Sequence, residues 1–163
     1  MRMLDGLLAQ LLRGPVDRLV TEAMNRYTHG DDDNPLYRYR VHGALERLHI
    51  DPTAIVNNTL FNVSGGDISI GEYAFFGHDC AVLTGTHDIT RFGRERQLAV
   101  PRSGRDVVIA EGVWVASHAV VLGPCRIGEH AVVAGGSLVM DDVAPYTVVA
   151  GRPAKVIKKV DPP

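Results

Sequence analysis

Ile109, Val115, Val121, Ile127, Val133 and Val139 recur every six residues without a slip, and no other feature of the chain restricts its fold as much. Four residues after each stands a small or thin side chain: Val113, Ala119, Cys125, Ala131, Ser137 and Val143. A shorter stretch repeats both registers in Ile70, Phe76 and Val82, followed by Ala74, Cys80 and Thr86. A helix has a period of about 3.6 and a simple strand a period of about 2, so six suits neither alone. It suits a three-sided coil in which each hexad makes one short strand and one corner, with about 18 residues to a turn. The aliphatic residue points inward from the flat side, and the small residue sits where the corner leaves little room. Successive turns then stack as parallel strands roughly 4.8 Å apart.

Residues 1–49 read differently. Leu4, Leu7, Leu8 and Leu11 fall on one helix face. Gly14-Pro15 breaks that helix, and Val16, Leu19, Val20, Ala23, Met24 and Tyr27 repeat the spacing. The run from His29 to Pro35 is a polar loop, and a short helix is expected around Ala44–Leu48. The chain therefore reads as mainly β, with an N-terminal helical segment over 1–49 and a coil over 50–163. An extended loop at 85–106 interrupts the coil, and a tail over 151–163 ends it. The loop has no hexad pattern and carries Arg91, Arg94, Arg96, Arg102 and Arg105. A loop of that length in a compact domain is functional or a solvated insertion.

Net charge is −2 over 163 residues. No overall basic field attracts nucleic acid or anionic membrane, so any phosphate recognition must come from a local cluster. No apolar run is long enough for a membrane span, and the N-terminus is too interrupted by charge to read as a secretory signal. Two cysteines are too few for a disulfide framework, which points to a reducing, cytoplasmic compartment. The inward aliphatic column does not by itself offset the backbone entropy lost on ordering the coil. Burial of outer faces between subunits, and hence an oligomer, is expected.

These residues resemble the hexapeptide-repeat acyltransferases, and more narrowly the sugar O-acetyltransferases typified by galactoside and maltose acetyltransferase. The resemblance covers roughly residues 50–160. It rests on the hexads, on LTGTHD before the loop, on GVWVASHAVVLGPCRIGEHAVVAGGSLV and on the closing VVAGRPAKVI. It implies a left-handed parallel β-helix. The hand comes from the resemblance, since parallel crossovers in sheets are ordinarily right-handed. It also implies a homotrimer with active sites between neighbouring subunits, acetyl-CoA as co-substrate, and no required metal. Residues 1–49 do not match the helical module that helps shape the acceptor site in maltose-type enzymes.

His87 occupies the position of the family's catalytic histidine, where coil gives way to loop. An alcohol is a poor nucleophile until its proton is being removed, and an imidazole, with an ordinary pKa of about 6.5, suits that work at neutral pH. Asn57 falls on the family's acceptor-contacting asparagine, where an amide holds the acceptor hydroxyl or a developing oxyanion. The competing reading is a corner asparagine that tolerates a left-handed backbone. Trp114 matches the family's tryptophan near the active site, with ordinary packing as its alternative. Ser117 and Gly135 match positions that contact the CoA arm. Lys155 and Lys158 match basic positions that meet CoA phosphates, against a solvated basic tail. The family often has a lysine where this chain has Asp141. Cys80 and Cys125 read as packing residues, so no acyl-enzyme is needed. His29, His42 and His49 are assigned to the helical segment and His78 and His130 to solvent-facing corners. His118 is placed at a corner within reach of a ligand.

The resemblance thus implies transfer of an acetyl group from acetyl-CoA to a sugar or glycan hydroxyl by direct attack, with His87 as general base. Acetylation of serine or an antibiotic, and a non-catalytic β-helix scaffold, are the alternatives. A zinc carbonic anhydrase on this coil needs three converging histidines, two of them close in sequence. No histidine lies five residues from His118.

Overall fold

The computed structural model describes residues 37–162, and from Tyr39 onward they wind into a coil with three flat sides. One side holds β1 (Arg40–His42), β3 (Leu60–Asn62), β6 (Ala81–Leu83), β9 (Val120–Leu122) and β12 (Leu138–Val139). The second holds β2 (Leu48–Ile50), β4 (Ile68–Ile70), β7 (Val107–Ile109) and β10 (Cys125–Ile127). The third holds β5 (Phe75–Phe76), β8 (Trp114–Val115), β11 (Val132–Val133), β13 (Thr147–Gly151) and β14 (Ala154–Lys159). The chain visits the sides in the same order on each turn, and strands of successive turns pair in parallel. Cys125 aligns with Val107, Val132 with Trp114 and Leu138 with Val120, a step of eighteen residues each time. The tail departs from the coil: β14 turns back along β13 as an antiparallel strand.

The two registers of the hexads are the core. Ile109, Val115, Val121, Ile127, Val133 and Val139 are each at most 1% exposed, and Val113, Ala119, Cys125, Ala131, Ser137 and Val143 are buried behind them. Ile70, Phe76, Val82, Ala74 and Cys80 join the same cluster. Thr86 is only partly buried, because the loop leaves the coil there. Thr84 is fully buried in the same turn, and its hydroxyl donates to the Asn62 carbonyl at 2.7 Å. Two of the three corners are turned by left-handed residues. Asn57, Asp79, His118 and Gly136 precede the strands of the first side, and Tyr73, Gly112, His130 and Tyr146 precede those of the third. Each carries a φ between 42° and 69°, the region that ordinary residues enter only singly and at a cost.

The start of the coil corrects the sequence reading. Residues 40–49, assigned above to the helical segment, belong to two strands, β1 and β2, joined by a single 3₁₀ turn at Leu45–Arg47. β1 pairs with β3 and β2 with β4, so this segment is the first turn of the coil. Val41, Leu48 and Ile50 pack against the core. The helical spacing read there arises from that one 3₁₀ turn, which replaces a regular corner. The helices expected over Leu4–Tyr27 lie outside the described residues.

The insertion at 85–106 leaves the register undisturbed. β7, which follows it, pairs with β4 on one side and β10 on the other. The two ends of the insertion are tied together: Arg105 Nε donates to the Thr84 carbonyl at 2.9 Å, and Arg105 Nη2 donates to the Gly123 carbonyl. Within the insertion lies α1 (Gly93–Leu98).

Truncation of the inward column should be costly. Ile109→Ala is expected to lower stability by about 2–5 kcal/mol, whereas Ile89→Ala, at a position 81% exposed in the loop, should change it by under about 0.5 kcal/mol. Chemical denaturation followed by circular dichroism checks the contrast.

Candidate active site

His87 stands at the root of the insertion, four residues beyond β6, and its exposed ring borders a cleft of about 360 Å³. The walls come from three turns of the coil and from the returning loop: His42, Asn62, Ser64, Gly85, Thr86, Val100 and Arg102. Strand register explains the convergence, since His42 aligns with Asn62, and Asn62 with Leu83, just before the loop. Gly85 matters to the shape. A Cβ there would fall 2.5 Å from Ser64 Oγ and 2.6 Å from Asn62 Nδ2, so only glycine lets those two side chains approach the histidine's strand end.

The imidazole is oriented. His87 Nδ1 lies 2.9 Å from the backbone carbonyl oxygen of Arg96 in α1. A carbonyl can only accept, so Nδ1 carries the hydrogen and Nε2 keeps its lone pair. No carboxylate plays this orienting part. Asp88, next in sequence, turns its Oδ1 to the Thr90 hydroxyl at 2.6 Å and to the Thr90 amide at 2.9 Å. The Thr90 hydroxyl, with the amide beside it, holds the Asp88 carboxyl below the usual carboxylate range.

The loop that supplies the carbonyl is built by its own arginines. Arg96 Nε donates to the Arg91 carbonyl at 2.6 Å and Nη2 to the Ile89 carbonyl at 3.2 Å, with its guanidinium 4.9 Å from the Phe92 ring centre. Arg91 pairs with Asp88 and Glu95. Three of the five loop arginines, Arg91, Arg96 and Arg105, therefore fold and fasten the insertion.

The other expected site residues lie elsewhere on the chain. Asn57 occupies the corner between the third side and the first, with φ of 42°, and its Nδ2 donates to the Phe76 carbonyl at 2.6 Å. It does not line the cleft at His87; Asn62 does. Ser117 and Gly135 sit on successive turns of the corner that Asn57 begins. Ser117 Oγ accepts the His78 amide at 3.0 Å, and the Gly136 amide donates to the Ser117 carbonyl at 3.0 Å. Trp114 lies on the outer face of the third side, 44% exposed and stacked on Phe75 with ring centres 5.7 Å apart. Lys155 and Lys158 are exposed on β14, where Lys155 shares a small hollow with Asp141 and Asp142. Both thiols are buried and unpaired. Burial, with Asp142 and Asp141 adding to it, pushes the Cys125 thiol up to about 12, and burial likewise raises Cys80. Neither is a nucleophile in this setting. Among the described residues no cluster of His, Cys, Asp or Glu could hold a metal ion.

Sequence reasoning missed His42 and Ser64 among the cleft's walls and the Arg96 carbonyl, and it did not single out Asn62 or, from the five loop arginines, Arg102. His42 had been read as part of a helix. The step of one turn between His42 and Asn62 is twenty residues, which the eighteen-residue rule, applied backward from the regular coils, misses by two.

A model of the family described as bacterial transferase hexapeptide (six repeats) matches residues 106–140. The galactoside O-acetyltransferase of Lactococcus lactis is 30% identical over 116 residues, which are 71% of this chain and 55% of that protein. Serine acetyltransferase 2 of Arabidopsis thaliana is 33% identical over 114 residues, 70% of this chain and 33% of its own length. The chain thus spans about half, or less, of these curated relatives. A solved galactoside acetyltransferase in complex with coenzyme A superposes with a TM-score of 0.64 at 19% identity, covering 90% of this chain and 82% of that one. That likeness is one of fold, and the coil is the left-handed parallel β-helix of those enzymes.

The tautomer at position 87 is open to measurement. Long-range ¹H–¹⁵N correlation of the neutral ring should show the hydrogen on Nδ1 in wild type. A spectrum with the hydrogen on Nε2 would mean that the Arg96 carbonyl does not orient the ring.

Proposed function

We propose that this chain, whose residues 106–140 match the hexapeptide-repeat transferase family, is an acetyltransferase that moves the acetyl group of acetyl-CoA to a hydroxyl of a sugar or glycan, with His87 as general base. The observation that carries this reading is the hydrogen bond between His87 Nδ1 and the Arg96 carbonyl, made by a ring that borders an open cleft; in the neutral ring it leaves Nε2 to accept a proton. Nε2 accepts the proton of the acceptor hydroxyl as its oxygen bonds to the thioester carbon. It returns that proton to the CoA sulfur as the carbon–sulfur bond breaks. The buried thiols fit a direct transfer with no acyl-enzyme.

In this reading the CoA arm runs along the corner where Ser117 and Gly135 stack, beside Trp114, and Lys155 and Lys158 meet its phosphates. Asn57 is on that corner too, so it serves as an acceptor or oxyanion contact only across a subunit boundary. We therefore take the working form to be a homotrimer, with His87 of one subunit facing the Ser117 corner of its neighbour. Ile55, Phe75 and Trp114, which are 59%, 42% and 44% exposed along the third side, support association, since it would cover their apolar surface. No helix of the described residues is long and apolar enough to cross a membrane, and the two unpaired thiols favour the cytoplasm as the place of reaction. The likeness to a serine acetyltransferase keeps an amino-acid hydroxyl as the second acceptor class, served by the same base.

Two outcomes are expected. Release of free CoA thiol should depend on acetyl-CoA and on a sugar acceptor, and His87→Ala should lower its rate by roughly 10²–10⁴-fold while CoA still binds. Sedimentation equilibrium should return the mass of a trimer; a monomer active under the same conditions would remove the composite site.

A further inference from the structure

We propose that the cleft at His87 selects acceptors that carry an anionic group, a carboxylate on the sugar being the simplest, and that Arg102 is the residue that reads it. The inference rests on the transferase reading above and adds the acceptor's charge.

The cleft's own electrostatics favour an anion. Its walls hold one guanidinium, two imidazoles and an amide, and no carboxylate is among the lining residues. A cationic wall without a built-in counterion is complementary to an anion.

Three of the other four loop arginines are already engaged. Arg91 is paired with Asp88 and Glu95, Arg96 holds the carbonyls of Arg91 and Ile89, and Arg105 clasps the carbonyls of Thr84 and Gly123. Among the described residues, the side chains of Arg94 and Arg102 make no hydrogen bond or ion pair, and of these two only Arg102 borders the cleft.

The backbone at Arg102 is also held in place. The Arg102 carbonyl accepts from Arg47 Nη1 at 3.0 Å, and Arg47 Nε is itself held by Asp67 at 2.6 Å. The backbone that presents Arg102 is thus anchored to the first turn of the coil, while the nearby Asp67 carboxylate is engaged with Arg47. Across the cleft, Asn62 Oδ1 is occupied by the Ser64 amide at 3.0 Å and the Ser64 hydroxyl at 2.7 Å. Asn62 therefore has only its Nδ2 hydrogens left to offer. A guanidinium and an amide donor bordering the same cleft as His87 fit a molecule that brings acceptor oxygens and one hydroxyl proton to lose.

The same guanidinium could in chemistry meet a CoA phosphate, and the test separates the two sources. Initial rates with acetyl-CoA would be measured on matched pairs, glucuronate against glucose and galacturonate against galactose, for wild type, Arg102→Gln, Arg102→Lys and Arg94→Gln. Wild type should prefer the acid by about tenfold in kcat/KM, the lower end of what a charge-assisted hydrogen bond contributes. Arg102→Gln should erase that preference through the acceptor's KM, with kcat and the KM for acetyl-CoA unmoved. Arg102→Lys should recover part of it, and Arg94→Gln, which removes the same charge from the same loop, should keep all of it. Equal rates on acid and neutral sugars in wild type would overturn the proposal, as would an Arg102→Gln defect confined to acetyl-CoA. Calorimetric titration of the same pairs distinguishes failure of the transferase reading. Without any thiol release, binding of the acid that is lost in Arg102→Gln sustains the anion subsite, and equal binding of both sugars removes it.

Discussion

A three-sided coil leaves interior room for only two inward side chains per hexad, and the rest of the molecule follows from that restriction. Ala119, Ala131 and Ser137 occupy corners, and the aliphatic residue two positions later fills the space that they leave. With the interior set by two side chains per hexad, β1 to β12 are each only two or three residues long. A strand so short has no stability by itself. It holds its place because the turns above and below hydrogen-bond to it in register, as β7 is held between β4 and β10.

That arrangement is what permits a long insertion beside the catalytic candidate. A loop inserted between two paired strands of a hairpin would loosen the pairing, since the connection sets the register. Here register comes from neighbouring turns, so the chain can leave the coil after Thr84 and re-enter at Val107 without shifting a strand. Arg105 fastens the exit to the entry. The histidine at the exit then sits on a rigid strand end while its orienting carbonyl comes from the loop. A site made this way takes its position from the coil and its specificity from the insertion.

The regular part of this architecture was legible because a period of six over Ile109–Val139 has one economical packing solution, and each inward residue that it named is buried. The site was legible at His87, through a local motif, and no further. The Arg96 carbonyl has no side-chain signature, because any residue at that position supplies the same oxygen. His42, Asn62 and Arg102 are far apart in sequence and meet only through the stacking of turns and the return of the loop. The first turn escaped notice because its strands are joined by a 3₁₀ turn in place of a hexad corner, which gives a short stretch of helical spacing. Asn57 was found by position, and its amide serves the backbone of its own corner, on the carbonyl of Phe76.

The placement of Asn57 and His87 carries a further constraint. His87 follows a strand of the first side, and Asn57, Ser117 and Gly135 precede strands of that side, so they occupy opposite edges of one flat face. Rigid strands that are pinned from above and below cannot bend to close such a gap. Nor can the insertion, whose ends are clasped at Thr84 and Gly123. A reaction that needs groups from both edges must therefore juxtapose one edge of one chain with the other edge of the next. Around a closed ring of identical chains each such junction is the same, so one heterologous contact repeated by rotation yields as many sites as subunits. In the three-sided prism the two edges of one face cannot meet within one chain, so any site that needs both edges would require assembly.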